Sequence, residues 1–455
     1  MDYGPILKDI KPTETEQQEL DEMSKKLVSF IEQTCQKENI DAKVEVVGSV
    51  AKHTALKGKS DIDVFIAFPL DVDESTLKDK GLYLAHECND HFGGKASHHF
   101  ASHPYVTSQI GDFEVDLVPC YAIEDGSQLK SAVDRTILHT RYVKGKLTPE
   151  GCDEVLLLKR FMDVTGTYGS EFKVGGFAGY LCELLIIKYG SFEETLRQAT
   201  TWQNGHIIDL EGYGTGGNFN DPLIVIDPTD ENRNVGAALR LNKFAEFIQS
   251  ARNYLSSDNK KDYFYHLDKP LDKDEILNEL DKRGSEFIAI KFDIPEIPLD
   301  TLHPQLKMTT ESLAEKIDNE EFNVFKADYA SNEVDSSVIL LEMASSKLNA
   351  IKVNKGPKVY LNKACNNFTT KYGASNCHIE GDFLVHMQKR EFSSVIDFIK
   401  DIFTQKNISK IKVGKNIKEN IIETYEFVTL DELAGDEDYL QFLDDFINPS
   451  QYIVR

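Results

Sequence analysis

The sequence predicts an α+β multidomain fold, built as a small α/β head, a helical neck and an α+β body and tail. Three observations carry that prediction. A chain of 455 residues exceeds what one hydrophobic core organises and divides into about three domains of ~100–200 residues each. Short apolar runs of strand character alternate with helical patterns as far as residue 121, and a helix-spaced apolar section follows. Beyond residue 254, helices mix with half-buried strands. The divisions fall at 1–145, 146–256 and 257–455.

Residues 13–37 open the head with a helical pattern. Lys43-Val44-Glu45-Val46-Val47 then reads as a strand, and Gly48-Ser49-Val50-Ala51-Lys52 as a tight turn into a short helix. Free backbone N–H groups and the positive end of the dipole attract phosphate at such a turn. Glycine permits close approach, Ser49 adds a hydroxyl, and Lys52 and His53 follow near the same anion. In the next strand, Ser60-Asp61-Ile62-Asp63-Val64-Phe65-Ile66-Ala67-Phe68, alternation puts Asp61 and Asp63 on one face and buries Ile62, Val64, Ile66 and Phe68 on the other. Phe113-Glu114-Val115-Asp116-Leu117-Val118-Pro119 supplies a third carboxylate, Asp116, from a neighbouring strand. Glu114 shares that strand face and reads as a neighbour without a role.

Hard divalent cations such as Mg²⁺ prefer carboxylate oxygens, and paired ions clamp the entering and leaving oxygens of an in-line displacement. Asp61, Asp63 and Asp116 are therefore candidates for both catalysis and metal ligation in a site that moves a nucleotide. A solvated turn beside two surface acids is the plainer reading. The ordered combination of parts disfavours it.

A basic connector follows, bordered by Lys130, Arg135, Arg141, Lys144 and Lys146, with Thr136 and His139 at its heart. Residues 149–164 and 179–189 have helical apolar spacing. Gly190 ends the second helix, and Ser191-Phe192-Glu193-Glu194 restarts with a capping box in which Ser191 and Glu194 satisfy each other's amides. Glu211-Gly212-Tyr213-Gly214-Thr215-Gly216-Gly217 lacks the lysine and hydroxyl of a P-loop, lies between strand-like pieces and reads as a flexible loop. Further on, a helix at 274–282 leads through Gly284 into a strand at 287–292. Strands at 337–343 and 383–387 and a helix at 393–403 complete an α+β arrangement.

A net charge of −25 argues by its total against a polyphosphate partner, but its distribution argues otherwise. Residues 343–379 contain Lys347, Lys352, Lys355, Lys358, Lys363 and Lys371 and no acid; residues 402–418 add Lys406, Lys410, Lys412, Lys415 and Lys418, again without one. Two such windows predict segregated basic surfaces and an RNA-binding body and tail. A lysine face kept for solubility is the alternative. The acids at Asp431-Glu432 and Asp436-Glu437-Asp438 would repel RNA from other faces.

No unbroken apolar stretch of about 18 residues and no basic-then-apolar start occurs, so neither a membrane span nor a secretory signal is expected. Seven scattered cysteines without a Cys-x-x-Cys are expected as reduced cytoplasmic thiols. Cys120 reads as a small buried side chain, since attack by an RNA hydroxyl needs no thiol nucleophile. His86, Cys88, His91, His98, His99 and His103 crowd together without a zinc-ligand spacing.

These residues resemble the nucleotidyltransferase superfamily of DNA polymerase beta, poly(A) polymerases and CCA-adding enzymes, which implies a polymerase beta-like nucleotidyltransferase head. Longer stretches narrow the resemblance. Ile10-Lys11-Pro12-Thr13, His103-Pro104-Tyr105, Asp116-Leu117-Val118-Pro119-Cys120-Tyr121 and Ser131-Ala132-Val133-Asp134-Arg135-Thr136 resemble the archaeal, class I, CCA-adding tRNA nucleotidyltransferases. So do Tyr168-Gly169-Ser170, the run Lys173-Val174-Gly175-Gly176-Phe177-Ala178-Gly179-Tyr180-Leu181-Cys182-Glu183-Leu184-Leu185, and Asp227-Pro228 before Arg233-Asn234-Val235. The resemblance covers the first half and continues more weakly through Leu302-His303-Pro304-Gln305-Leu306 and Gly414-Lys415-Asn416.

It implies addition of C, C and A to the 3′ end of immature tRNA from CTP and ATP, with two Mg²⁺ ions and release of pyrophosphate. The implied partner is tRNA, held at its 3′ end and acceptor-arm backbone, in the cytoplasm and away from membranes; a homodimer is left open. Ser49, Lys52, Thr136, His139, Lys159, Tyr168 and Arg233 are the positions it implies around triphosphate and base. Asp61 and Lys52 stand where Glu and Arg are expected; charge is kept, but the lysine lacks a bidentate fork. The alternative enzyme is a poly(A) polymerase or oligoadenylate synthase-like transferase. A non-catalytic RNA-binding relative is disfavoured by the presence of all three acids.

Overall fold

Thr13 and Glu16 cap each other's backbone amides and so start α2 (Glu14–Glu38), which follows a short α1 (Gly4–Ile10). A computed structural model describes residues 1–59, 61–100, 104–266 and 270–455. After α2 come β1 (Lys43–Val47), α3 (Gly48–Ala51), β2 (Ile62–Phe68), α4 (Glu74–His91), β3 (Lys95–Phe100), β4 (Pro104–Ile110) and β5 (Phe113–Tyr121). The strands form one sheet in the order β1-β2-β5-β4-β3, with β2 and β5 parallel and the other pairs antiparallel.

Val64, Ile66 and Phe68 of β2 pack with Leu27 and Ile31 of α2 and Leu84 of α4 on one face. Beyond Asp63 the opposite face is buried as well. There Phe65 and Ala67 meet Ile137 of α5 (Arg135–Lys146). A strand covered on both sides leaves its carboxylates accessible only at its leading end.

The next section contains α6 (Pro149–Val164), α7 (Gly179–Tyr189), α8 (Phe192–Ala199) and α9 (Leu241–Ser256) around a core that includes Phe161, Phe177, Leu184, Phe192 and Phe247. It also holds a three-stranded sheet, β6 (His206–Asp209), β7 (Leu223–Asp227) and β8 (Asp230–Asn234), in the order β6-β7-β8. Ser191 caps the Glu194 amide at 3.2 Å, but the reciprocal half of the expected box is missing, because the Glu194 carboxylate accepts from Gln198 at 2.7 Å instead. In the glycine-rich loop, the amides of Gly212 and Gly214 donate to Asp209 at 2.9 and 2.8 Å. Those amides are engaged within the chain.

Met1–Asp268 together with Ser450–Arg455 form one compact unit and Lys269–Pro449 a second. The second unit contains α10 (Lys273–Lys282), β9 (Glu286–Asp293), α11 (Leu299–Asp318), β10 (Val324–Ser331), β11 (Ser336–Met343), β12 (Ile351–Lys358), α12 (Asn362–Tyr372), β13 (Cys377–Glu380) and β14 (Phe383–Lys389). It continues with α13 (Val395–Ile402), α14 (Lys418–Thr424), β15 (Glu426–Val428), α15 (Leu430–Ala434) and α16 (Glu437–Ile447). Its sheets are ordered β10-β11-β9-β15 and β12-β14-β13. Ile339 and Leu341 of β11 enter one core and Val338 and Leu340 another, which makes β11 a central strand.

The lysine windows are partly neutralised by acids from outside them. Lys352 meets Glu321, Lys358 meets Asp382 and Lys410 meets Asp401, each at 3.1 Å. All seven cysteines are free. Among the described residues, no helix is long and apolar enough to cross a membrane.

Candidate active site

Parallel pairing of β2 with β5 sets Asp63 directly beside Asp116, and opposed residues in register share a sheet face. Asp61 precedes β2 at its exposed leading end. Thr107 of β4, opposite Asp116, donates its hydroxyl to Asp116 Oδ1 at 2.5 Å and fixes that carboxylate. Burial first, then the charges of Asp116 and Asp61, push the Asp63 carboxyl up to about 7. Asp61 is raised for the same reasons, desolvation ahead of the charge of Asp116. Anions crowded in this way attract a cation.

The turn after β1 closes against them. Gly48 has φ of 73°, and a Cβ there would lie 1.9 Å from Asp63 Oδ2, so only glycine lets the backbone come so near. The Gly48 amide donates to Thr140 Oγ1 at 3.3 Å, and Thr140 donates to the carbonyl of Thr136 at 2.9 Å. These bonds tie α5 to the turn that carries Ser49. The half-buried Ser49 accepts at its carbonyl from the Thr54 amide at 3.0 Å.

Lys52 and Lys159, both expected near phosphate, are buried. They meet at Glu183, which is fully buried on α7 and was given no role by the sequence. Lys52 Nζ lies 2.6 Å from Glu183 Oε2, and Thr54 Oγ1 donates to Oε1 at 2.6 Å. Lys159 Nζ lies 3.7 Å from Oε1 and donates to the Thr54 carbonyl at 2.8 Å. Burial would raise Glu183, but the two ammonium groups hold it below the usual carboxylate range. Burial lowers Lys159, with Glu183 opposing. Gly179 leaves space for its neighbours, since a Cβ there would lie 3.2 Å from the Tyr168 hydroxyl and 3.4 Å from Lys159 Nζ.

A third cluster centres on Asp227, also fully buried and also without a role from the sequence. His139 Nε2 lies 2.8 Å from Asp227 Oδ2, and Arg233 donates to the same oxygen at 2.7 Å. Thr229 satisfies Oδ1 through its amide and hydroxyl. Burial raises Asp227, and His139 and Thr229 more than reverse it, so the carboxyl lies well below its ordinary value. His139 stacks on Tyr180 at 3.8 Å, and burial keeps its imidazole below the ordinary value against the pull of Asp227. Lys52 Nζ lies 5.8 Å from the Tyr180 ring centroid and opposes the rise at Asp63, which links the three clusters.

Among the described residues, no group of three or more His, Cys, Asp or Glu is drawn into a ready cation cage. The donor chemistry still fits a hard cation: all-oxygen ligands, mutually repelling, with an open strand end. Of the crowded histidines, His91 stacks on Phe30 at 4.1 Å. His103 and the side chains of His98 and His99 lie outside the described residues. Cys120 is buried and its thiol is pushed well up by that burial, which makes it an inert filler.

Paired carboxylates at a strand end, a Gly-Ser turn against them and a cationic pocket behind define a nucleotidyltransferase. The nucleotidyltransferase domain model matches residues 27–139, the tRNA nucleotidyltransferase second-domain model residues 153–265, and the model of the CCA-adding enzyme C-terminal domain residues 283–429. The CCA-adding enzyme of Methanothermobacter thermautotrophicus is 44% identical over 100% of this chain and 99% of its own. That of Methanosarcina mazei is 35% identical over 96% of each. The chain belongs to the CCA-adding enzymes and is a tRNA nucleotidyltransferase, a family that uses nucleotide substrates and divalent metal.

Proposed function

We propose that this enzyme adds C, C and A to the 3′ end of immature tRNA in the cytoplasm, using CTP and ATP without a nucleic-acid template. The observation that carries the reading is the adjacency of Asp63 and Asp116 in register, with Gly48 pressed against Asp63. Asp61, Asp63 and Asp116 would hold two Mg²⁺ ions, which when bound neutralise charge on the attacking oxygen, the phosphoryl group and the leaving pyrophosphate. Asp116, steadied by Thr107, faces the terminal RNA hydroxyl and helps it shed its proton. Ser49 and its turn hold the departing pyrophosphate end, with Lys52 and Lys159 behind. Tyr168 serves sugar or phosphate, Thr136 steadies the turn through Thr140, Arg233 presents its remaining donors to the base, and His139 holds Asp227 beside it.

In this reading residues 1–145 are the catalytic head, 146–256 the nucleotide-binding neck, and 257–455 the body and tail that hold the acceptor arm. The test uses tRNA lacking its terminus, with each nucleotide supplied alone and then both together. CTP must be used first, ATP must follow only after two cytidines, and extension must stop. A run of adenosines from ATP alone overturns the reading, as does near-normal activity in Asp116→Ala.

A further inference from the structure

We infer that Glu183 is a positioning residue for the nucleotide triphosphate, one buried carboxylate that holds the ammonium groups of both Lys52 and Lys159 behind the Gly48-Ser49 turn. The inference rests on the proposed role of these lysines toward phosphate. Glu183 is the single acid in α7, surrounded in sequence by Leu181, Cys182, Leu184, Leu185 and Ile186, all buried. Such a carboxylate stays in an apolar helix only with cationic partners. It addresses one with each oxygen: Oε2 meets Lys52 at 2.6 Å, while Oε1 accepts from Thr54 at 2.6 Å and lies 3.7 Å from Lys159. Gly179 and Glu183 are four residues apart on the same helix face, so one face of α7 meets Lys159, Tyr168 and Lys52.

Two effects of Glu183 on an incoming triphosphate oppose each other. Its own charge repels phosphate, whereas its contacts keep two like-charged ammonium groups together. Positioning dominates because the Lys52 and Lys159 side chains are only 7% and 3% exposed. With the carboxylate gone, two buried cations repel, and one must leave its place. One carboxylate against two ammonium groups also leaves this buried cluster with a net positive charge, which faces Asp63 across the turn.

Glu183→Gln keeps the shape and the acceptor for Thr54 while removing the charge. The test titrates CTP, ATP and inorganic tripolyphosphate into the full-length wild type and variant by calorimetry, alongside steady-state kinetics with tRNA lacking its terminus. The expected result is a tenfold or greater rise, roughly, in Kd for all three and in KM for both nucleotides, with kcat changed far less. Thr54→Val, which removes the hydroxyl bond to Oε1 and the 3.4 Å bond from Lys159 Nζ while leaving the Glu183 charge in place, is expected to give a smaller rise in the same direction and serves if Glu183→Gln does not fold. Unchanged or tighter tripolyphosphate binding in the folded variants overturns the inference, and so does a fall in kcat with KM intact. A wild type that binds tripolyphosphate but adds no cytidine to tRNA would defeat the proposed function instead, leaving the binding comparison to judge Glu183.

Discussion

Replacing Asp63 by asparagine removes an anion that burial and two neighbouring carboxylates disfavour, so a change expected to abolish the proposed catalysis is also expected to stabilise the metal-free fold. Holding a carboxyl at about 7 instead of 3.8 corresponds to about 4 kcal/mol against its ionised form above neutral pH. Relaxation and water entry reduce the expression of such a cost to about 1–3 kcal/mol. The sign follows from proton linkage. The folded protein binds this proton more tightly than the unfolded chain, so stability falls as pH rises from about 4 to about 7 and the deficit is complete above that. Asp63→Asn should therefore raise the melting temperature of chelator-treated protein at pH 8 by roughly 2–5 °C, and by about a third as much at pH 5, where only the first part of the linkage cost has accrued. Calorimetric melts of wild type and variant at the two pH values decide the matter, with Mg²⁺ added to the wild type expected to narrow the gap at pH 8. A lower melting temperature for Asp63→Asn at pH 8, or the same gap at both pH values, would refute the electrostatic reasoning.

Two further outcomes follow from the same geometry. Gly48→Ala forces a Cβ to within 1.9 Å of Asp63 Oδ2 at a positive φ, and a displacement of this size should lower kcat/KM for CTP on the order of 100-fold; near wild-type kinetics would show that the turn has no fixed place. Changing Lys355, Lys363 and Lys371 to glutamine should flatten the logarithmic salt dependence of tRNA affinity by about 0.7–0.9 for each phosphate that is no longer neutralised, measured by filter binding across salt concentrations, and an unchanged slope removes those lysines from the RNA surface.

The Asp63–Asp116 pair was legible because each half is a local signal: alternation along a strand fixes which face a carboxylate takes, and the apolar runs fix the strands. The Gly48-Ser49 turn was legible for the same reason. What the lysines and histidine do was not, because their partners are distant. Lys52 and Glu183 are 131 residues apart, and His139 and Asp227 are 88 apart. A signal did exist at Glu183, a lone acid within Leu181-Cys182-Glu183-Leu184-Leu185, since a carboxylate in so apolar a helix must find a cation. The same blindness to distant partners inflated the lysine windows, where Glu321 arrives from another strand connection to pair with Lys352. The small β6-β7-β8 sheet was legible only as strand-like pieces on either side of the glycine-rich loop, because its strands are only four or five residues long.

Lysine at position 52, where arginine was expected, meets Glu183 through a single ammonium group. A guanidinium fork would take both carboxylate oxygens at once. The ammonium of Lys52 takes only Oε2, which leaves Oε1 to Thr54 and, through Thr54, brings Lys159 into the same network. The point charge of Lys52 shares one buried carboxylate with a second cation, Lys159. The charge count behind the turn is the same with either residue. The two cations are coupled through one acid and one hydroxyl, so a disturbance at Thr54 reaches both.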